Sequence, residues 1–394
     1  MGRAVSPRRR VLLDATALTS YSGRRGIGQM TANLLIGLDD TRAEWEASTE
    51  IVALERLPMF GPAVLSPDLR GVTARAALAP QAFNLELVNA RRLRLPSIAR
   101  GFDLLHQTEA LGTPWQDAVP RVVTCHDLIP LRMPEHYLPW FHKRSVAVAG
   151  ARWRYGRAAR VVCISERTRR DLIELIHVDA DRTEVVPLGL VEERWRTVED
   201  PPDATVLARL HVRPSPFLLY VGGADARKNV AGMMDTLRRL RASRPSIELV
   251  WAGALDAMSR ARIRRIARTA GVESAVNLVG FVSSDDLVTL FRAASAHLFL
   301  SRLEGFGLTV AEALAVGCPV VLGRDSGADE VAGDACLAVD LDDPGAAAAA
   351  VERVLDDQGL RQALRQRGLA RVAGYRASHM ARGYIAAWER VLAG

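Results

Sequence analysis

Tyr220-Val221-Gly222-Gly223-Ala224-Asp225-Ala226-Arg227-Lys228-Asn229-Val230 carries the reading of the fold. An apolar run, PFLLYV, ends on Gly222-Gly223, and an amphipathic run, NVAGMMDTLRRLRA, opens near Asn229. A strand, a tight glycine turn and a helix follow one another, as in a parallel α/β unit. Arg227 and Lys228 stand where the helix begins, against the positive end of its dipole. Cations in that position conflict with helix stability and suit a bound anion, above all a diphosphate.

The same rhythm extends outward from this segment. Downstream, SIELVWAGA, AVNLVGFV, AHLFLS and CPVVLG read as strands. SRARIRRIARTAG, DDLVTLFRAA, TVAEALAVG, GAAAAAVERVLDD, QGLRQALRQRGLARVAG and ASHMARGYIAAWERVLAG read as helices. Upstream, strands are expected at Arg10–Thr16, Phe102–His106, Arg121–His126, Arg160–Ile164 and Glu184–Pro187, with a helix at Gln29–Leu38 and another capped by Ser165. Val191 to Pro216 is polar and proline-dotted and is expected to be a linker. The expected class is α/β, with two Rossmann-like, doubly wound parallel-sheet domains facing an interdomain cleft, where ligands collect at the carboxyl ends of strands.

Bulk composition agrees. The chain has 394 residues, 49% hydrophobic and 25% charged, which fits two globular cores. No apolar run is long enough for a membrane span. The basic, partly apolar N-terminus is read as a tail and a first strand rather than a leader, because its apolar part is short and contains Asp14. Cys125, Cys163, Cys318 and Cys336 form no CxxC pair and are expected to be free thiols. Residues 81–170 hold 15 Lys/Arg against 7 Asp/Glu, including Arg91, Arg92, Arg94, Arg100, Arg152, Arg154, Arg157 and Arg160. This stretch reads as a solvated basic face, or as a surface for an anionic partner such as a membrane. No motif or aromatic series points to nucleic acid.

A second constellation lies at Ser301-Arg302-Leu303-Glu304-Gly305-Phe306-Gly307-Leu308-Thr309-Val310-Ala311-Glu312. Gly305 and Gly307 permit close backbone approach to oxygen-rich ligands. Glu304 and Glu312 cannot hold phosphate, so sugar and ribose hydroxyls are their natural targets, with Glu312 placed in the first helical turn. A glycosidase-like carboxylate pair is the other reading, disfavoured because a turn and half a helix separate the two. In the first half, His126 follows a strand end. Gly26 and Gly28, with Gly23, sit between the first strand and helix, but their spacing does not make a dinucleotide fingerprint. They are read as a loop facing the donor phosphates or the acceptor. No Asp-x-Asp motif ends a strand, and no metal site is expected.

The segments YVGG…RKN, GFVSSDDL, EGFGLTVAEALAVGCPVV and GDACLAVDLDDP together resemble the retaining glycosyltransferases of glycosyltransferase family 4, with the GT-B fold. Glu304 and Glu312 match that family's E-x7-E signature. GIGQMTANLL and CHDLIP look most like its bacterial mannosyltransferase branch, which builds surface polysaccharides and glycolipids. The resemblance implies an acceptor domain over residues 1–195, a donor domain over 205–374, and a last helix, 375–394, crossing back to the first domain. It implies a metal-independent, retaining hexosyltransferase. Arg227 and Lys228 would hold the donor diphosphate beside Gly222 and Gly223. Glu304 and the amides of Gly305, Phe306, Gly307 and Leu308 would meet the donor sugar, and Glu312 the ribose. Gly280, Phe281 and Val282 would pack on the base, and His126 would reach the sugar from the other domain. GDP-mannose is the favoured donor substrate, with a UDP-sugar the alternative, and no cofactor is implied. The acceptor would be a glycan, a natural product or a lipid-linked sugar, met in the cytoplasm or at the inner membrane face. Two other classes stay open: a sugar-nucleotide epimerase on the same scaffold and a non-catalytic sugar-nucleotide binding subunit.

Overall fold

The structure is a computed structural model. It describes residues 8–20, 26–78, 84–138, 140–195, 202–213 and 215–394. The chain divides into two compact units, one of residues 1–191 with 375–394 and one of residues 192–374.

The first unit holds a seven-stranded sheet. Its strands are β1 (Arg9–Asp14), β2 (Thr49–Arg56), β3 (Val64–Ser66), β4 (Leu104–Gln107), β5 (Arg121–Cys125), β6 (Arg160–Cys163) and β7 (Thr183–Val185). Their order is β3-β2-β1-β4-β5-β6-β7, with only β3 antiparallel. The strand interiors are almost wholly apolar (Val11, Leu12, Leu13, Val122, Val123, Val161, Val162), as a sheet covered on both faces requires. β1 stops at Asp14, two residues before the expected end, because Asp14 Oδ1 accepts from the amide and hydroxyl of Thr16 and turns the chain. Helix Gly26–Asp40 packs against helix Ala377–Ala393. The approach is so close that a Cβ on Gly37 would stand 2.1 Å from the Ala377 carbonyl oxygen. That last helix is stitched into this unit by Trp388 Nε1, which donates to His106 Nδ1 at 2.7 Å, and by the Arg382–Glu44 ion pair.

The second unit holds six parallel strands: β8 (Phe217–Val221), β9 (Glu248–Ala252), β10 (Val276–Gly280), β11 (Ala296–Phe299), β12 (Val320–Gly323) and β13 (Leu337–Val339). Their order is β10-β9-β8-β11-β12-β13, so the winding reverses between β8 and β11. Two adjacent strands whose connections leave in opposite directions open a crevice at their carboxyl ends.

Two sequence expectations are corrected. The stretch from Val191 to Pro216 is not simply a linker: it carries helix Ala204–Arg209, whose first turn is capped by the Asp203 carboxylate accepting from Thr205 N. Residues 196–201 and 214 of that stretch lie outside the described residues. The basic stretch is not a uniformly solvated face either. Arg91 is 1% exposed and paired to Asp14 and Glu109, each at 3.0 Å. Arg94 points its guanidinium at the backbone oxygens of Pro58 and Gly61.

Candidate functional site

β8 and β11 deliver the main cluster. After β8, Gly222 takes φ +146, where a Cβ would stand 2.9 Å from the Tyr220 hydroxyl. Tyr220 itself donates to Gly223 O at 2.9 Å and Trp251 Nε1 donates to Gly222 O at 3.0 Å, so the glycine turn is held from both sides. Ala226–Lys228 then forms a single 3-10 turn, and Asn229, at φ 52, caps helix Val230–Ser243 by accepting from Gly232 N. The two cations therefore sit just ahead of the helix rather than in its first turn. That placement removes part of the dipole conflict seen in the sequence.

The loop after β11 brings Glu304 to them. Glu304 Oε2 accepts from Arg227 Nη1 at 2.5 Å and Oε1 accepts from Lys228 Nζ at 2.7 Å. The loop is pinned by Arg302 N donating to Arg227 O at 2.8 Å and Glu304 N donating to Ser326 O at 2.5 Å. All three charged side chains are shielded, with Lys228 and Glu304 about nine-tenths buried. Burial works against the Glu304 carboxylate, but the charges of Lys228 and Arg227 outweigh it and hold its pKa below the usual carboxylate range. Burial likewise pushes the Lys228 ammonium down, with Glu304 opposing. Lys228 Nζ also lies 5.4 Å from the Phe299 ring centre, a cation–π contact. A buried lysine and a partly buried arginine thus share one carboxylate. Asp225 is 3.8 Å from Arg227 but more than half exposed, so solvent screens most of its charge.

Gly307, at φ +98, opens helix Leu308–Ala315. A Cβ there would meet Ala328 Cβ at 2.7 Å, so both conformation and space demand glycine. Glu312 is the fifth residue of this helix, one residue deeper than a start at Thr309 would place it. It is 6% exposed, and burial pushes its pKa up to about 8, with the Arg194 charge opposing. Gly280, at φ +83, ends β10, and Phe281 beside it is 66% exposed, an open ring at the same end of the sheet. Gly280 ends β10, and Gly222, Gly223, Arg227, Lys228, Phe281, Val282, Glu304, Gly305, Phe306, Gly307 and Leu308 follow the carboxyl ends of β8, β10 and β11.

The remaining candidates belong to the first unit. His126 follows β5; its Nε2 lies 2.7 Å from Thr108 O, and burial lowers its pKa against that hydrogen bond, leaving a neutral ring at pH 7. Gly26 and Gly28 begin helix Gly26–Asp40. Gly23, Arg24 and Arg25 lie outside the described residues.

Sequence reading missed several participants. Phe299 under Lys228, Ser326 behind Glu304 and Arg194 facing Glu312 carry no local signal, because only the fold brings them close. The buried Asp14–Arg91–Glu109 group was foreshadowed only by an aspartate ending an apolar strand. Among the described residues, no three His, Cys, Asp or Glu side chains converge as a metal site, and no helix is long and apolar enough to cross a membrane.

The family described as Glycosyltransferase Family 4 matches residues 40–194, and the one described as Glycosyl transferases group 1 matches residues 209–371. The fold is of the GT-B type, and each half of the chain is similar to one of these two families. It is 30% identical over 215 residues to O-antigen chain mannosyltransferase B of Escherichia coli, covering 53% of this chain and 55% of that protein. The chain thus spans about half the length of this curated relative. Sucrose-phosphate synthase from Thermosynechococcus elongatus superposes with TM-score 0.75 at 19% identity, covering 98% of this chain and 100% of that one. HepE from Anabaena in complex with UDP superposes with TM-score 0.70 at 15% identity, covering 97% and 100%. At such identities these two structures speak for the fold.

Proposed function

We propose that this protein is a retaining, metal-independent glycosyltransferase. It moves a hexose, with mannose favoured, from a nucleotide-diphosphate sugar to a hydroxyl of a glycan, glycolipid or natural-product acceptor. The observation that carries this reading is the shielded Arg227–Glu304–Lys228 group at the strand ends where the winding reverses. Two fixed cations against one carboxylate leave a net positive charge in a low-dielectric setting, matched to a diphosphate that gains charge as the glycosidic bond breaks.

In this scheme Arg227 and Lys228 stabilise the departing nucleotide, and the leaving phosphate takes the acceptor's proton on the same face. No protein nucleophile is required. Glu304 keeps lone pairs free beyond its two ion pairs and accepts from donor-sugar hydroxyls, supported by the amides that open helix Leu308–Ala315. Glu312, largely protonated at pH 7, both donates to and accepts from the ribose diol. The exposed Phe281 ring, with Gly280 and Val282, receives the base. His126 serves the donor sugar, and Gly26 and Gly28 serve the donor phosphates or the acceptor. GDP-mannose is preferred because of the mannosyltransferase relative; a UDP-sugar is supported by the UDP-bound structural neighbour.

A thermal-shift screen over UDP-, GDP-, ADP- and dTDP-sugars tests the reading. A cognate donor at 100 times its Kd adds about 2.7 kcal/mol of stability. Silence across all four bases refutes it. Product NMR reports the anomer, and an inverted product rejects the retaining step.

A further inference from the structure

The sheet of the second unit meets glycine at the carboxyl ends of three neighbouring strands. Gly222 follows β8, Gly253 follows β9 and Gly280 closes β10, and these strands lie side by side in that order. Hydrogen bonds tie the ends together: Gly222 N donates to Ala252 O at 2.9 Å, and Gly253 N donates to Gly280 O at 2.7 Å. A Cβ on Gly253 would stand 2.3 Å from Gly222 O, so the middle of this backbone ledge admits no side chain. The ledge runs from the glycine turn ahead of Arg227 and Lys228 to Gly280 and the exposed Phe281 ring. Two strand spacings, about 10 Å, separate its ends, which is more than one phosphate spans and suits a nucleoside lying along it.

Arg260 stands at the far end. It lies in the first turn of helix Ala257–Thr269, which Asp256 caps by accepting from Ser259 N at 2.7 Å. Arg260 Nε donates to Leu255 O at 3.3 Å and Nη1 donates to Leu278 O at 3.5 Å, so the side chain is tethered between the loop after β9 and β10 itself. Nη2 reaches Gly280, where a Cβ would stand 3.1 Å from it. A guanidinium carries five N–H groups. Two are used here, and the rest have no partner among the described residues. The place of this arginine sets it apart: backbone carbonyls orient it beside an open ring, at the end of a ledge that begins at the phosphate grip.

We propose that Arg260 reads the donor base and selects guanine; this rests on the nucleotide-diphosphate site proposed above. A guanidinium fork needs two acceptors side by side. Guanine offers O6 and N7 on one edge, whereas adenine sets an amino donor beside N7 and uracil sets the N3–H donor beside O4. The Phe281 ring receives the face of the base, and Arg260 receives its O6/N7 edge. Arg260 is a specificity-determining residue in this scheme and takes no part in the bond-breaking step.

Titration calorimetry of GDP, inosine diphosphate, 7-deaza-GDP, ADP and UDP into the full chain tests this. Inosine diphosphate keeps O6 and N7 and lacks only the 2-amino group, so it binds as GDP does. 7-Deaza-GDP, ADP and UDP bind about tenfold more weakly, as for one lost bidentate pair. In Arg260→Lys, which keeps the charge without the fork, and in Arg260→Met, GDP affinity falls to that of UDP, while UDP affinity stays close to the parent's. A purely structural role would instead weaken every nucleotide together, and that result in both variants overturns the proposal. So does binding without a preference for GDP, a preference that survives in both variants, 7-deaza-GDP binding as tightly as GDP, or inosine diphosphate binding as weakly as ADP. Each of these leaves the diphosphate site standing. Silence of all five nucleotides refutes the diphosphate site and the base assignment with it.

Discussion

Replacing Glu304 with glutamine leaves the buried Lys228 and the partly buried Arg227 without the carboxylate they share. Glu304 grips them at 2.5 and 2.7 Å, and its side chain is 9% exposed. Removing one partner of a buried ion pair costs about 3–5 kcal/mol, most of it from the charges left uncompensated. In a unit of this size each kcal/mol moves the melting temperature by about 2–4 °C, so Glu304→Gln should melt about 6–20 °C lower. The same substitution raises the net charge of the cluster by one unit. An added nucleoside diphosphate should therefore restore more of the lost stability in the variant than it adds to the parent. Calorimetric melts with and without UDP and GDP read both effects. A drop under about 2 °C, within ordinary surface-mutation scatter, would show that the three side chains are not an energetic unit. A full drop without nucleotide rescue would keep the ion cluster and remove its role as an anion site.

Four further outcomes follow from the same geometry. Arg227→Ala or Lys228→Ala should lower turnover by about 100-fold or more, the effect of losing one shielded transition-state cation; initial rates check this. Glu312 has a folded-state pKa raised to about 8, so the folded protein binds its proton more tightly than the unfolded chain does. Its contribution is therefore full below the unfolded carboxylate pKa and declines as pH rises to about 8, by at most about 1.4 kcal/mol per pH unit. Glu312→Gln should flatten that slope in denaturant melts between pH 5 and 8. Gly307→Ala forces a side chain into φ +98 and against Ala328, and should destabilise by about 1–3 kcal/mol while impairing donor binding. EDTA should leave the transfer rate unchanged in a radiolabelled-donor assay.

Most strands were legible because both their faces are covered, but Thr49–Arg56, Val64–Ser66 and Leu337–Val339 were not read, and Val64 and Leu65 are exposed. Runs such as FLLYV and VVLG have no polar face to confuse with a helix, and glycines close them. The candidate site was legible where it follows a strand end: Gly222, Lys228 and Glu304 all come just after one. Partnership was not legible. Glu304 meets Arg227 across 77 positions, and Arg91 meets Asp14 across 77 more, so the sequence shows charges without showing which ones cancel. Arg91 illustrates the cost of that blindness: an arginine inside a basic run reads as solvated until a strand-end aspartate is found beside it. Glu312 sits one residue deeper than expected because Gly307 caps a helix that starts at Leu308 rather than Thr309. The short helix after Asp203 was hidden by the prolines before and after it, which argued for a linker.

The central claim is that Arg227 and Lys228 hold a nucleotide diphosphate. Its most direct test is titration calorimetry of UDP and GDP into the parent protein and into Lys228→Met, with folding of both verified by melting. Saturable binding by the parent that weakens by about 100-fold in the variant is the predicted result, as for loss of one shielded cation. Equal affinity in the two proteins contradicts the account.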